Sequence, residues 1–136
     1  MSNLTINAGD VYPVDPSACL FLDGIAGATI AAGETAYLDS ATNTYKLADS
    51  NGAPALSVVK GIAMQSVVAN QPIKLCYGGI INIGAGTPGT PYYQSATAGK
   101  VCPHGDLTTN DRVVRIGDCV AANRLNVSIF NTQVTL

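Results

Sequence analysis

Apolar and polar positions alternate with period two along much of the chain, most clearly between Gly33 and Asp49. Two runs, Thr35–Asp39 and Thr44–Asp49, flank a polar centre of Ser40, Ala41, Thr42 and Asn43. Ala36 and Leu38, then Tyr45 and Leu47, occupy one parity, with Thr35, Asp39, Lys46 and Asp49 mostly opposite. This pattern predicts a half-buried β-hairpin with good turn chemistry at its centre. Upstream, Leu4-Thr5-Ile6 predicts a short strand, and Val11–Val14 an edge segment, where Pro13 is tolerated. The apolar run Cys19–Leu22 is expected to stop at the turn pair Asp23-Gly24. Downstream, Leu56–Met64 and Val67–Val68 favour extended chain over a short helix, because Val58, Val59, Ile62, Val67 and Val68 suit strands. Ile73–Tyr77 alternates cleanly, and Gly78-Gly79 reads as a turn into Ile80–Ile83. Tyr92–Ser95, Lys100–Cys102, Arg112–Ile116, Cys119–Val120 and Leu125–Phe130 follow, with Thr132–Leu136 as a last edge strand. Roughly ten short strands with turns about every 8 to 12 residues predict a small barrel or sandwich.

The pattern also recurs. Tyr37-Leu38-Asp39-Ser40-Ala41-Thr42 is echoed by Tyr92-Tyr93-Gln94-Ser95-Ala96-Thr97 at an offset of 55 residues, and Val58-Val59-Lys60 by Val113-Val114-Arg115 at the same offset. Slightly later, Ala69-Asn70-Gln71 is echoed by Ala122-Asn123-Arg124. Two copies of one β-unit usually mean two halves sharing one core. The expected organisation is an N-terminal arm or edge segment over residues 1–22 and a β-domain over 23–136. Within that domain the pseudo-repeats run from about 33 to 83 and from about 88 to 134. The arm has no partner in the repeat; the pattern leaves open whether it crosses its own barrel or reaches a neighbour.

Composition points the same way. The 136 residues suffice for one domain with a real core. Glu34 is the only glutamate and Lys plus Arg total 7, so exposed helix faces have few formers, while Val, Ile, Thr, Gly and Asn are plentiful. This is an all-β composition. Charged residues make up 12%, about half the usual share, against 47% hydrophobic. So neutral a surface suggests that part of it is covered by other protein. A net charge of −2 with scattered basic residues argues against nucleic acid as a partner. No apolar run approaches the roughly 18 residues of a membrane span. The opening Met1-Ser2-Asn3-Leu4-Thr5 is polar and unlike a secretory leader, so synthesis in the cytoplasm is expected. Asn3-Leu4-Thr5 and Asn126-Val127-Ser128 then match the glycosylation pattern only by chance.

Candidate chemistry is thin. Gly84-Ala85-Gly86-Thr87-Pro88-Gly89 has the spacing of a dinucleotide-binding loop, but that loop needs a helix behind it. Here Pro91 and a strand pattern follow, so the glycines read as an inter-repeat connection. The four cysteines, Cys19, Cys76, Cys102 and Cys119, show no CxxC spacing, so no structural zinc site is signalled. Cys76 and Cys119 read as small hydrophobes, and whether any pair forms a disulfide stays open. His104 is the single histidine, in Cys102-Pro103-His104-Gly105-Asp106, and reads as a solvent-exposed loop residue. With one Glu and one His the chain is poorly equipped for catalysis; no catalytic, cofactor-binding or metal residues are expected. The six tyrosines suit a sugar-binding face or an oligomer interface, but there is no Trp, and Tyr92 and Tyr93 are expected on opposite faces of one strand.

Several stretches carry a family resemblance. They are residues 24–39 (Gly24-Ile25-Ala26-Gly27-Ala28-Thr29-Ile30 through Tyr37-Leu38-Asp39), Tyr45-Lys46-Leu47-Ala48-Asp49, Lys60-Gly61-Ile62-Ala63 and Tyr92-Tyr93-Gln94-Ser95-Ala96-Thr97-Ala98-Gly99. Over roughly residues 22 to 130 the chain resembles the small decoration, or cement, proteins on the outside of tailed-bacteriophage heads. The resemblance implies a β-rich, non-enzymatic subunit. It would form a homotrimer, bind the major capsid protein where capsomers meet, and stabilise the expanded head from the outer surface of the virion. Leu4, Ile6, Val11, Tyr12 and Val14 in the arm, with Tyr92 and Tyr93, are then expected at the capsid or subunit interface. A C3 trimer would hide apolar side surfaces and present three equivalent feet, which together bind with avidity. Two other readings fit the residues: a structural module of a phage tail or fibre, and a monomeric carbohydrate-binding sandwich.

Overall fold

The computed structural model describes residues 3–136. Ten strands follow in order: β1 (Tyr12–Pro13), β2 (Leu20–Ile25), β3 (Thr35–Asp39), β4 (Thr44–Leu47), β5 (Val59–Ala63), β6 (Pro72–Asn82), β7 (Pro91–Gln94), β8 (Val101–Pro103), β9 (Arg112–Ala121) and β10 (Arg124–Thr135). Short 3-10 turns at Ala8–Asp10, Pro16–Ala18, Pro54–Ser57 and His104–Asp106 are the only helical segments among the described residues. The protein is all-β, as its β-branched, Glu-poor composition predicts. Its strands pair antiparallel in one curled sheet of order β4-β3-β5-β6-β10-β9-β7-β8.

That order reads alike from both ends: β7, β8, β9 and β10 answer β3, β4, β5 and β6. The register shows how close the correspondence is. In the first unit Tyr37 pairs with Val59 and Ala36 with Gly61 across a bulge. In the second, Tyr93 pairs with Arg115 and Tyr92 with Gly117 across the same kind of bulge. Tyr37 therefore matches Tyr93, one residue beyond the Tyr92 that the sequence echo aligns with it. Burial agrees: Ala36 and Tyr92 point into the core, while Tyr37 and Tyr93 are half-buried. A Cβ on Gly61 would meet the carbonyl of Cys76 on β6, and one on Gly117 the carbonyl of Asn126 on β10. Asn70 and Asn123, paired by the second sequence echo, both take positive φ (73° and 67°) in the turns that launch β6 and β10. Asparagine tolerates that region better than most side chains.

β6 is the spine. Gly78 pairs with Leu20 of β2 and with Ser128 of β10, and Cys76 pairs with Phe21 of β2 and with Ile62 of β5. A strand has only two edges, so β5 and β10 lie end to end along one edge of β6 while β2 takes the other. β1 joins β2 there, because Ile81 pairs with both Pro13 and Leu125. The sheet thus forks at β6 into two leaves. In the first leaf, β2 returns to β4 through the parallel bridge Ala26–Tyr45 and the bond from the Gly27 N–H to the Tyr45 carbonyl (2.7 Å), closing a small ring of five strands. Ala26, Ile30, Ala36, Ala63, Val67, Ile73 and Leu75 form its core. A larger cluster, including Ile62, Ile81, Ile83, Val114, Ile116, Leu125 and Val127, fills the rest of the molecule.

Two expected turns are absent. The chain runs straight through Asp23-Gly24 inside β2 and through Gly78-Gly79 inside β6. The glycines serve close approach instead. A Cβ on Gly24 would strike the Tyr45 ring, and one on Gly79 (φ +104°) would lie 2.8 Å from the Cα of Cys19. Leu4-Thr5-Ile6 forms no strand, although the Leu4 N–H donates to the Val101 carbonyl at 2.9 Å. The tail expected as a separate edge strand continues β10 to Thr135. The boundary expected at residue 22 falls within β2, so the arm is built into the sheet and packs on its own chain.

Candidate interaction surfaces

The outer hairpins β3–β4 and β7–β8 stand at opposite ends of the pairing order, yet they meet and close the curl. The Thr35 N–H donates to the Gly99 carbonyl (3.0 Å), the Gly99 N–H to Ala48 (2.8 Å) and the Ser50 N–H to Ser95 (3.2 Å). Gln94 is fully buried at this seam. Its Nε2 donates to the carbonyls of Ala48 (3.0 Å) and Ser95 (3.1 Å), and its Oε1 accepts from the Thr35 hydroxyl. Nearby, the buried Asp111 carboxylate accepts from the Thr108 N–H (2.8 Å) and the Ser50 hydroxyl (3.3 Å). Every one of these polar groups has a partner, as buried polar groups must. They hold the scaffold shut and offer no open chemistry.

The residues expected at an interface separate into two sets. Val11 (8% exposed) and Tyr92 (2%) are buried in the chain's own core, and the Tyr92 hydroxyl accepts from the Thr87 N–H at 3.0 Å. Leu4 and Ile6 are half-buried against the large cluster. Val11 and Tyr92 are thus committed to the fold, while Leu4 and Ile6 pack partly on it. Tyr93 is half-buried and meets the His104 ring edge-on, with centroids 5.7 Å apart. Val14 is half-buried and Tyr12 is 52% exposed.

Tyr12 and Val14 lie beside an apolar face that the alternation pattern did not show. Val14, Asp15, Ala18, Gly79 and Ile80 line a groove of about 360 Å3 between the arm and the outer side of β6. The Val14 N–H donates to the Ile80 carbonyl at 3.1 Å, which fixes the arm at this wall. Leu20, 54% exposed, lies over Gly78 next to the groove, and Ile80 is 39% exposed. The single charge in the lining, Asp15, is turned to local work: its Oδ1 accepts from the Ser17 N–H and hydroxyl, capping the Pro16–Ala18 turn. Phe130 and Val134 in the second half of β10, and Leu136 just after it, are also exposed. Phe130 sits at the position where the alternation of β10 breaks at a register shift, and that break was its only signal in the sequence.

The Cys102–Asp106 stretch does not assemble into a reactive group. Cys102 is buried in the core, where burial pushes its thiol up to about 11, while His104 lies in the solvent-exposed turn. All four cysteines are free and buried. Among the described residues no three His, Cys, Asp or Glu side chains are grouped to hold a metal ion. No helix among them is long and apolar enough to cross a membrane. The Gly84–Gly89 segment connects β6 to β7, and a strand follows it. Scanned against protein-family models and against curated proteins, the chain matches none.

Proposed function

We propose that this chain is a non-enzymatic structural subunit that decorates the outside of a tailed-phage capsid as a homotrimer, docking on the major capsid protein where capsomers meet. The observation that carries this reading is the apolar face of Tyr12, Val14, Leu20 and Ile80 on a charge-poor β-scaffold. An exposed, nearly uncharged face of this kind is what a permanent protein partner covers. The resemblance to cement proteins names the partner, and the rigid closed seam supports it. A subunit that does not deform on docking spends little binding free energy on ordering itself. Three such faces on one trimer bind with avidity, and binding only the expanded shell stabilises that state by mass action.

The test is to mix purified protein with expanded and with immature empty heads and sediment them. The reading expects co-sedimentation with expanded heads alone, and light scattering of the free protein at three times the 13.9 kDa chain mass. A monomer that ignores both heads, or one that binds a glycan array, overturns it.

A further inference from the structure

Where the arm crosses the spine, two thiols come together. Cys76 sits on β6 opposite Phe21, and Cys19 immediately precedes β2. The Cys76 Sγ lies 3.2 Å from the carbonyl of Gly78 and the Cys19 Sγ 3.5 Å from that of Ile80, so both thiols donate to the same strand two residues apart. Cys19 and Cys76 belong to the same buried cluster. Gly79 makes the approach close: a Cβ there would stand 2.8 Å from both the Cα and the Sγ of Cys19. The same Gly79 helps line the groove of Val14, Asp15, Ala18 and Ile80, and Cys19 follows Ala18 directly in the chain. Cys102 and Cys119 are engaged elsewhere, with the Ser95 side chain and the Ala121 carbonyl.

We infer that Cys19 and Cys76 are a modification site: a dithiol that a small-molecule disulfide converts into an intrachain disulfide pinning the arm to β6. The Cys19 thiolate attacks the small disulfide, whose S–S bond breaks and releases one thiolate. The Cys76 sulfur then attacks the mixed disulfide at the Cys19 sulfur, forming the Cys19–Cys76 bond and releasing the second thiolate. The protein loses two electrons and two protons, and the small disulfide becomes two thiols. Cys19 is the entry thiol because it keeps 9% of its surface exposed, whereas Cys76 is fully buried. Pinning removes freedom from the unfolded chain between residues 19 and 76, a long loop, and so stabilises the folded form. The proteins that use such bonds keep them outside the reducing cytoplasm. This site would therefore stay open during synthesis and close afterwards. It does not depend on the capsid reading.

The test incubates the full chain with oxidised glutathione and maps peptides without reduction. Expected is a Cys19–Cys76 cross-linked peptide, with thiols counted in denaturant falling from the four free cysteines to two per chain. The melting temperature should rise by roughly 10 °C and fall back on reduction. Cys19→Ser should abolish the cross-link and the thermal gain. A stable glutathione adduct as sole product, a bridge between chains, a bridge through Cys102 or Cys119, or no thiol loss each overturns the inference. The map is read on the wild-type chain, so a poorly folding variant does not blunt it.

Discussion

Gln94 shows how much one side chain carries at the seam. It bonds Thr35, 59 residues away, and Ala48, 46 residues away, with no water access. Replacing it by leucine leaves the Ala48 and Thr35 oxygens buried without their partner, which costs about 2–4 kcal/mol. Urea unfolding should show that loss, and a double-mutant cycle with Thr35→Val should give a coupling of about 1 kcal/mol. Nothing local in the sequence announces this role, because the partners, Thr35 and Ala48, lie on the far hairpin. The buried thiols give a second prediction at this scale. Burial holds Cys76 and Cys102 at about 11, against an ordinary 9.0. Unfolded thiols therefore ionise first as pH rises. The stabilisation is complete below pH 9.0 and is lost between there and about 11, on the order of 2 kcal/mol per thiol. Urea midpoints across that window should fall in the wild type and fall less in Cys76→Ala and Cys102→Ala; equal slopes would place the titration elsewhere.

At the scale of elements, the arm does two jobs that its sequence does not separate. Leu4, Ile6 and Val11 pack on the core, while Tyr12, Leu20 and Ile80, across the strand edge, stay in solvent. Removing residues 2–16, which from sequence alone looks like trimming an appendage, should cost roughly 3–5 kcal/mol of stability. Substituting Tyr12→Ser, Leu20→Ser and Ile80→Thr together should leave the melting temperature within a few degrees while abolishing retention on expanded heads. Retention at the wild-type level would separate the groove from head binding. The hairpin of β3 and β4 was legible because its register, Ala36 with Leu47 and Leu38 with Tyr45, follows the alternation directly. The strands β2 and β6 were cut short in the sequence reading because a glycine needed for close approach has the same letter as one needed for a turn. Only the neighbours, Tyr45 and Cys19, tell them apart.

For the whole molecule, the duplicated pattern gave the architecture, since each repeat supplies a hairpin followed by two further strands in the same order. The fork was hidden, because no residue pattern says that β5 and β10 must occupy one edge of the same strand. That shared edge has a consequence for inheritance. The halves are not beads on a string; each supplies part of the wall on which the other is built. A gene fragment encoding only one of them would leave half of β6 bare, or the β6-facing edge of β10 without its partner. Opening the backbone within 84–90 should accordingly yield two pieces that are unstructured apart and that recombine one-to-one on mixing, recovering slow amide exchange along β6. Pieces that fold separately would mean that the ancestor of this protein stood alone before it was doubled.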